Sequence, residues 1–210
     1  MVASLDTAGS IAMLKAVAQA IIDQTDVLTD ADLAIGDGDH GTGMRRGFEA
    51  AQEALNANPP ALVEDAFKAV GMAVLSQTGG AAGAIFGTLF RSGGKAFAGK
   101  DAVEGDAFAA FLESGLEAVL KRGGVTEGQK TIIDALAPAA RAARAASGSL
   151  ADVSAAAARG ALDGVEATKG MIATTGKARS LGERSIGHPD PGAISVSIIL
   201  VAMRDFIARN

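Results

Sequence analysis

The sequence predicts an all-α protein, and three observations lead to this prediction. Apolar residues recur at spacings of three and four, as in Leu62, Phe67, Val70 and Val74, which is the period of a helix and not the alternation of a strand. Alanine is frequent throughout, and runs of β-branched residues are few and short. The connections between helical segments are short, which favours antiparallel neighbours in an up-and-down bundle.

Seven or eight helical segments fit this period. In chain order they cover residues 8–26, 42–57, 61–77, 80–97, 103–122, 128–146, 150–172 and 191–209. Helix-breaking residues separate them, namely Asn58-Pro59-Pro60, Thr78-Gly79-Gly80, Gly99, Gly123-Gly124 and Ser147-Gly148-Ser149. Asp190 and Pro191 mark the start of the last helix, as an N-cap acceptor and a proline at the first helical position.

Composition and charge narrow the possible functions. The chain has 210 residues, 49% of them hydrophobic and 20% charged, and neither a composition shift nor a repeat divides it, so we expect one domain over residues 1–210. A formal charge of −5 argues against non-specific nucleic-acid binding as the main function. The absence of cysteine excludes disulfides, thiol nucleophiles and iron–sulfur clusters, and 4% aromatic residues disfavour a base-stacking platform.

No targeting or membrane segment is evident in the sequence. Residues 1–24 lack the basic start and small-residue cleavage site of a secretory signal. No run approaches 18 consecutive apolar residues, because glycine or charged residues interrupt each one. We therefore expect a cytoplasmic protein without membrane contact.

The densest polar cluster contains four carboxylates within ten residues, those of Asp30, Asp32, Asp37 and Asp39, on a glycine-rich stretch before a helix. Carboxylates this close repel one another unless they stay solvated or hold a divalent cation. They also have a simpler interpretation, as turn and cap residues. The calcium EF-hand spacing fails, since Phe48 stands where its glutamate belongs, and a small carboxylate set without a full cage suits Mg²⁺.

Known nucleotide motifs do not explain this stretch. Gly36, Gly38 and Gly41 satisfy the dinucleotide-binding pattern, but no strand is predicted before them, and the intervening aspartates would repel a pyrophosphate unless a metal lay between. No Walker sequence occurs. A nucleotide would therefore bind through magnesium and helix N-termini.

Three further segments are rich in glycine and polar residues, 79–83, 122–131 and 176–192. Each also has a structural interpretation, as a site of close helix packing, a helix cap or a connecting loop. Both histidines, His40 and His188, lie in such loops, and long loops in helical domains often carry function. Acidic residues for a metal, basic residues and free backbone donors together indicate a phosphoryl-transfer site.

Four motifs make the chain similar to a known family. They are Leu28-Thr29-x-x-Asp32-x-x-Ile35-Gly36-Asp37-Gly38-Asp39-His40-Gly41, Gly79-Gly80-Ala81-x-Gly83 with Phe86-Gly87-Thr88, Gly128-x-Lys130-Thr131 with Asp134, and Leu181-Gly182-Glu183-Arg184-Ser185-Ile186-Gly187-His188-x-Asp190-Pro191-Gly192. In this order they resemble the nucleotide-binding L subunit of bacterial dihydroxyacetone kinases over nearly the whole chain. The resemblance implies an antiparallel barrel of eight helices with a nucleotide pocket at one end.

The resemblance also implies a set of site residues. Asp32, Asp37 and Asp39 would be the catalytic carboxylates that hold two Mg²⁺ ions against the diphosphate of ADP or ATP. The residues implied to surround the nucleotide are His40, Gly41, Thr42, Gly43, Gly80, Ala81, Ala82, Gly123, Ile132, Lys177, Asp190, Pro191 and Gly192.

The implied activity depends on partner subunits. The terminal phosphoryl group would pass to dihydroxyacetone held on a separate K subunit, and a phosphocarrier M subunit would rephosphorylate bound ADP in the phosphotransferase-system members. The resemblance is also compatible with a homodimer. Gly43, Ala82, Gln129 and Lys177 depart from the family pattern, which puts the permanently bound ADP in question. A kinase subunit that uses free ATP, one for another short ketose such as erythrulose, and a nucleotide-sensing regulator therefore stay open.

Overall fold

A computed structural model describes residues 3–210, and nearly all of the regular structure in this part of the chain is helical. The α-helices are α1 Thr7–Asp23, α2 Thr25–Ile35, α3 His40–Ala57, α4 Val63–Gln77, α5 Gly80–Gly93, α6 Gly105–Gly123, α7 Ile133–Ala145, α8 Leu150–Lys169 and α9 Pro191–Arg209. Two 3₁₀ segments cover Gly94–Phe97 and Lys177–Ser185. Strands β1 Ser4–Asp6 and β2 Ala102–Glu104 form a small antiparallel sheet. The predicted all-α class is confirmed.

Eight of these helices form a closed ring. From α3 to α9 each helix packs against the next one along the chain, α1 packs against α3, and α9 closes the ring by packing against α1. The helix α2 lies outside the ring and contacts α3 and α9. Since neighbours in an up-and-down ring run in alternate directions, every second connection lies at the same end. Residues 36–39, 78–79, 124–132 and 170–190 therefore meet at one end of the barrel.

The inside of the ring is filled by one hydrophobic cluster that extends from Leu5 to Ile207. Its centre is aromatic: the ring of Phe67 lies 4.6 Å from that of Phe97 and 5.0 Å from that of Phe111, centroid to centroid. Glycines bring neighbouring helices together, since a Cβ on Gly160 of α8 would lie only 2.7 Å from the carbonyl oxygen of Pro138 in α7. This packing holds the ends of the helices, and the connections between them, in fixed positions.

The structure differs from the predicted elements mainly at the site end. Residues 25–35 form the separate helix α2, so the acidic loop is reduced to residues 36–39. The helix predicted to begin at residue 128 begins at Ile133, because Gly124, Gly128 and Lys130 have φ values of 61°, 87° and 61°. Such left-handed backbone cannot continue a right-handed helix. The sheet was not predicted, because three-residue strands carry almost no pattern.

The last helix, α9, is long and apolar. Within residues 3–210 it is the one helix that is long and apolar enough to cross a membrane, judged by length and composition alone. Its most apolar stretch of 18 residues has a mean hydropathy of 1.6, and 44% of that stretch is buried inside the protein. It lies between α8 and α1 and contributes Val196, Ile199 and Met203 to the core. We interpret α9 as a wall of the barrel.

Candidate functional site

A cavity of about 410 Å³ opens at the end of the barrel where the four connections meet. It brings together sequence segments that lie more than 150 residues apart. Twelve of the sixteen residues expected at a site line it, namely Asp32, Asp39, His40, Gly43, Gly80, Ala81, Ala82, Ile132, Lys177, Asp190, Pro191 and Gly192. The cavity is therefore the candidate functional site.

Four expected residues lie outside this lining. Asp37 belongs to the carboxylate group at its rim. Gly41 is buried against α2, where a Cβ would clash with the backbone nitrogen of Thr29 at 2.7 Å, so its role in the fold is to let α2 and α3 approach. The Thr42 hydroxyl donates to the carbonyl oxygen of Asp39 at 3.1 Å, within the first turn of α3. Gly123 is the last residue of α6.

The carboxylates of Asp32, Asp37 and Asp39 converge at one edge of the cavity. One oxygen of each lies within 4.8 Å of the others. Asp32, near the end of α2, is buried and accepts a hydrogen bond from the backbone N–H of His40 at 3.2 Å, while Asp37 and Asp39 in the short loop are exposed. Three hard oxygen donors with open positions are the ligand set that suits Mg²⁺, so these residues fit the expected metal.

Lys177 supplies positive charge to this group. Its Nζ donates to Asp37 at 2.5 Å and to Asp39 at 3.2 Å. The hydrogen bond to Lys177 lowers the pKa of Asp37, and the same bond raises the pKa of the Lys177 ammonium. Lys177 begins the 3₁₀ segment Lys177–Ser185, so the contact joins the long connection between α8 and α9 to the acidic loop. The carboxylate group thus already attracts a cation.

A helix N-terminus faces the same cavity. The connection from α4 to α5 turns through Gly79 and Gly80, with φ values of 79° and 57°, where a residue with a side chain would be strained. Gly80, Ala81 and Ala82 begin α5, and the first backbone N–H groups of a helix have no partner within it. Small side chains leave these donors open to the cavity, an arrangement that binds anions.

His40 links two walls of the cavity. Its Nε2 lies 2.8 Å from the hydroxyl oxygen of Ser195 in α9, and its ring lies 6.3 Å from that of Phe86 in α5. Burial lowers the pKa of His40, although the charge of Asp32 opposes this shift. Burial thus favours the neutral imidazole, and its contact with Ser195 joins α3 to α9.

Lys130, which belongs to the cavity lining, holds two connections together. It is 2% exposed, and its Nζ donates to the carbonyl oxygens of Thr168, Met171 and His188 at 2.6, 3.3 and 2.5 Å. Burial lowers its pKa, and the three acceptors take all three ammonium protons. Lys130 therefore has a structural role, and its ammonium has no proton left to donate to a ligand.

The carboxylates of Asp134, which is buried, and of Asp190, which is half-buried, organise the neighbouring backbone. Asp134 accepts from the N–H groups of Gly128 and Thr131 at 2.5 and 2.7 Å, which shapes the turn before α7. Asp190 accepts from the N–H of Ala193 at 2.8 Å and caps α9 as predicted. Burial of the carboxyl group raises the pKa of Asp190 to about 7.

Several lining residues were not among those expected. Gly79, Phe86, Lys130 and Thr131 belong to the motifs, and Gly176 to the glycine-rich segment 176–192, but they were assigned no role. Arg46, Ile85 and Thr175 carry no motif at all. No motif marks Arg46; it follows Gly43 by three residues, which places these two residues on the same side of α3.

With this geometry in place, comparison with known proteins gives the family. The model of the DAK2 domain matches residues 34–205. The chain belongs to the DAK2 domain family. The ADP-binding subunit DhaL of PEP-dependent dihydroxyacetone kinase 1 from Listeria innocua is 40% identical over 181 residues, which cover 84% of this chain and 85% of that protein.

Longer proteins are also similar to this chain. L-erythrulose 1-kinase of Mycolicibacterium smegmatis is 33% identical over 204 residues, 95% of this chain but 35% of that protein. The native dihydroxyacetone kinase of C. freundii has a TM-score of 0.73 at 25% identity, covering 93% of this chain and 34% of that one. The structure of that kinase with AMP-PNP and Mg²⁺ has the same TM-score at 24% identity. The DAK2 chain thus spans about a third of these two kinases.

Proposed function

We propose that this DAK2 chain is the nucleotide-binding phosphotransferase subunit of a dihydroxyacetone kinase. It would bind ADP or ATP with Mg²⁺ and pass the terminal phosphoryl group to dihydroxyacetone held on a separate K subunit, which yields dihydroxyacetone phosphate. The observation that carries the proposal is one cavity with a carboxylate group at its edge and the N-terminus of α5 in its lining. The Listeria subunit, named as ADP-binding, supports the choice of nucleotide.

Different groups of the cavity would contact different parts of the phosphate chain. Asp32, Asp37 and Asp39 would hold Mg²⁺, and two ions is the number that we propose. Bound Mg²⁺ supplies charge neutralisation and in-line orientation for phosphoryl transfer. The N–H groups of Gly80 to Ala82 would donate to phosphate oxygens, and Lys177 would exchange its carboxylate partners for phosphate.

The base would lie against the apolar part of the lining. Ile85, Phe86 and Ile132 offer side chains without polar atoms, and Pro191 and Gly192 begin α9 beside them. These groups exclude water from a bound nucleotide, which strengthens the electrostatic contacts at the phosphates. The chain's own part in the reaction is thus to position the nucleotide and to neutralise charge.

The partners follow from the division of the reaction between subunits. The K subunit would dock at the cavity end of the barrel, where the terminal phosphate becomes accessible. A phosphocarrier M subunit is the proposed donor, free ATP is the alternative, and we propose a cytoplasmic location. Self-association as a homodimer is a further proposal, which sedimentation at micromolar concentration tests.

Two measurements test the proposed function. Mass spectrometry of the purified protein is expected to find ADP and Mg²⁺, or binding of both on titration. Mixing with a K subunit, dihydroxyacetone and ATP is expected to yield dihydroxyacetone phosphate. An empty cavity that refuses nucleotide would contradict the proposal, and binding without transfer would favour a nucleotide-sensing regulator.

A second ketose is kept as a candidate because of the Mycolicibacterium L-erythrulose kinase, at 33% identity. The higher identity of the Listeria subunit, 40%, supports dihydroxyacetone. The same reconstituted assay with erythrulose separates the two, since the acceptor with the higher kcat/KM is the substrate.

A further inference from the structure

Three basic side chains line the cavity, those of Arg46, Lys130 and Lys177. The proposed nucleotide carries several negative charges, and not all of them face the metal. The state of each basic group therefore decides which one is available to the phosphate chain.

Two of the three already have strong partners. Lys130 is buried, and its three protons go to three backbone carbonyl oxygens. Lys177 is paired with the carboxylates of Asp37 and Asp39, the proposed metal ligands. Moving Lys130 would leave buried carbonyl groups unpaired, which is costly.

Arg46 is different. Within residues 3–210 its guanidinium has no carboxylate partner, and its one hydrogen bond runs from Nη2 to the carbonyl oxygen of Thr78 at 3.1 Å. A guanidinium has five N–H donors, so four are left for a ligand. The side chain is exposed toward the cavity and has not been desolvated by the fold.

The bond to Thr78 places this charge beside the N-terminus of α5. Thr78 immediately precedes Gly79 and Gly80, and a Cβ on Gly79 or on Gly43 would lie 3.9 Å from Nη2 of Arg46. The guanidinium thus crosses a gap lined by two glycines, between α3 and the turn that leads into α5. The N–H groups at the start of α5 and the guanidinium of Arg46 therefore lie close together, and both kinds of donor bind phosphate oxygens well.

We propose that Arg46 is a phosphate-binding residue of the nucleotide site. Its guanidinium, together with the N–H groups at the start of α5, holds phosphate oxygens that the Asp32, Asp37 and Asp39 group does not reach through its metal. The inference rests on the proposed function and adds to it a contact that no motif residue supplies. Arg46 is a binding residue that fixes the phosphate chain for transfer.

The test compares Arg46→Gln with a matched control, Arg45→Gln. Arg45 is the neighbouring arginine of α3, pairs with Glu49 on the outer face at 3.8 Å, and does not line the cavity. Binding of MgADP is measured by calorimetry and binding of adenosine by NMR titration, because adenosine fills the base region and has no phosphate. Arg46→Lys is included, since a lysine keeps the charge but loses the planar fork.

The expected result is selective. Arg46→Gln should weaken MgADP about tenfold to a hundredfold and leave adenosine unchanged, because a charge-assisted hydrogen bond is lost. Arg46→Lys should recover part of the loss, and Arg45→Gln should bind both ligands as the wild type does. Unchanged MgADP affinity in Arg46→Gln would overturn the inference.

Two other outcomes have separate meanings. An equal loss for MgADP and adenosine would overturn the inference as well, because it would show that Arg46 acts only by holding the Thr78 turn. Wild-type protein that binds neither ligand would refute the proposed function itself, and the inference with it. Binding by wild type with a selective loss in Arg46→Gln supports both.

Discussion

At the scale of single residues, the cavity is organised by compensation of charge. Lys177 offsets the repulsion within the carboxylate group, and Lys130 satisfies carbonyl groups at the ends of two segments. The carboxylates were predictable, because four in ten residues stand out against a helical background. The contact of Arg46 was not, since it depends on a carbonyl 32 positions away.

Asp37→Asn tests the metal role of the carboxylate group. Loss of one charged oxygen ligand should lower phosphoryl transfer by about two orders of magnitude or more, since metal charge stabilises the transition state by several kcal/mol. The melting temperature should stay the same, because Asp37 is exposed. The measurement is the transfer rate with a K subunit as Mg²⁺ is varied.

Asp30→Asn provides the matched control. Asp30 is an exposed aspartate of α2 that lies outside the carboxylate group. Its variant should keep wild-type transfer, so equal losses in the two variants would point to net charge instead of metal ligation. Full activity in Asp37→Asn would make Asp37 only a turn residue.

The raised pKa of Asp190 predicts that the stability of the fold depends on pH. Its folded pKa of about 7 lies above the value of 3.8 expected when the chain is unfolded, so folding takes up a proton between these values. Stability from this group is complete below pH 4 and is lost as pH rises through 7. Between pH 5.5 and 8 the nucleotide-free wild type should lose about 2 kcal/mol relative to Asp190→Asn, roughly 4–8 °C in melting temperature.

The comparison with Asp190→Asn isolates this group, because asparagine stays neutral and keeps an oxygen that caps α9. Thermal melts of both proteins across this pH range provide the measurement. Parallel curves would show that Asp190 is ionised in the folded protein throughout.

At the scale of helices and connections, the site depends on where helices begin and end. The sequence predicted most helices well, since their apolar period is strong, but it merged α2 into an acidic loop. A short helix of mixed polarity is stabilised mainly by the helices that it packs against, which for α2 are α3 and α9. The local sequence pattern carries no information about these contacts. The start of α7 was misplaced for a related reason, since Lys130 holds left-handed backbone through distant hydrogen bonds.

Gly164→Ala tests the packing of α7 on α8, the helices that adjoin two of the site connections. A Cβ there would overlap the carbonyl oxygen of Asp134 and lie 2.6 Å from the Cα of Ala135. The helices would have to separate, at a cost of about 1–3 kcal/mol, and the melting temperature should fall by several degrees. Calorimetric unfolding is the measurement.

Gly170→Ala is the control for this substitution. Gly170 follows α8, has φ −83°, and its Cβ would meet only the carbonyl oxygen of Ala167, at 3.7 Å. It should unfold within about 0.5 kcal/mol of the wild type. A Gly164→Ala protein as stable as this control would mean that α7 and α8 adjust without strain.

At the scale of the whole molecule, one property of the fold assembles the site. In a closed up-and-down ring, alternate connections meet at the same end, and four such connections form the cavity. The eight helices of the ring and their order were predictable from periodicity and the family resemblance. The cavity lining was predictable only where motifs marked it, because Arg46, Ile85 and Thr175 take part through the closure of the ring.

We propose that three aspartates at one end of the barrel hold divalent ions against the phosphates of a nucleotide. A crystal structure grown with ADP and Mn²⁺ in place of Mg²⁺, measured at the manganese absorption edge, tests it most directly. We predict two anomalous peaks bounded by Asp32, Asp37 and Asp39 and shared with the phosphates of ADP. Bound ADP with no anomalous peak there, and with these carboxylates turned to solvent, would contradict the account.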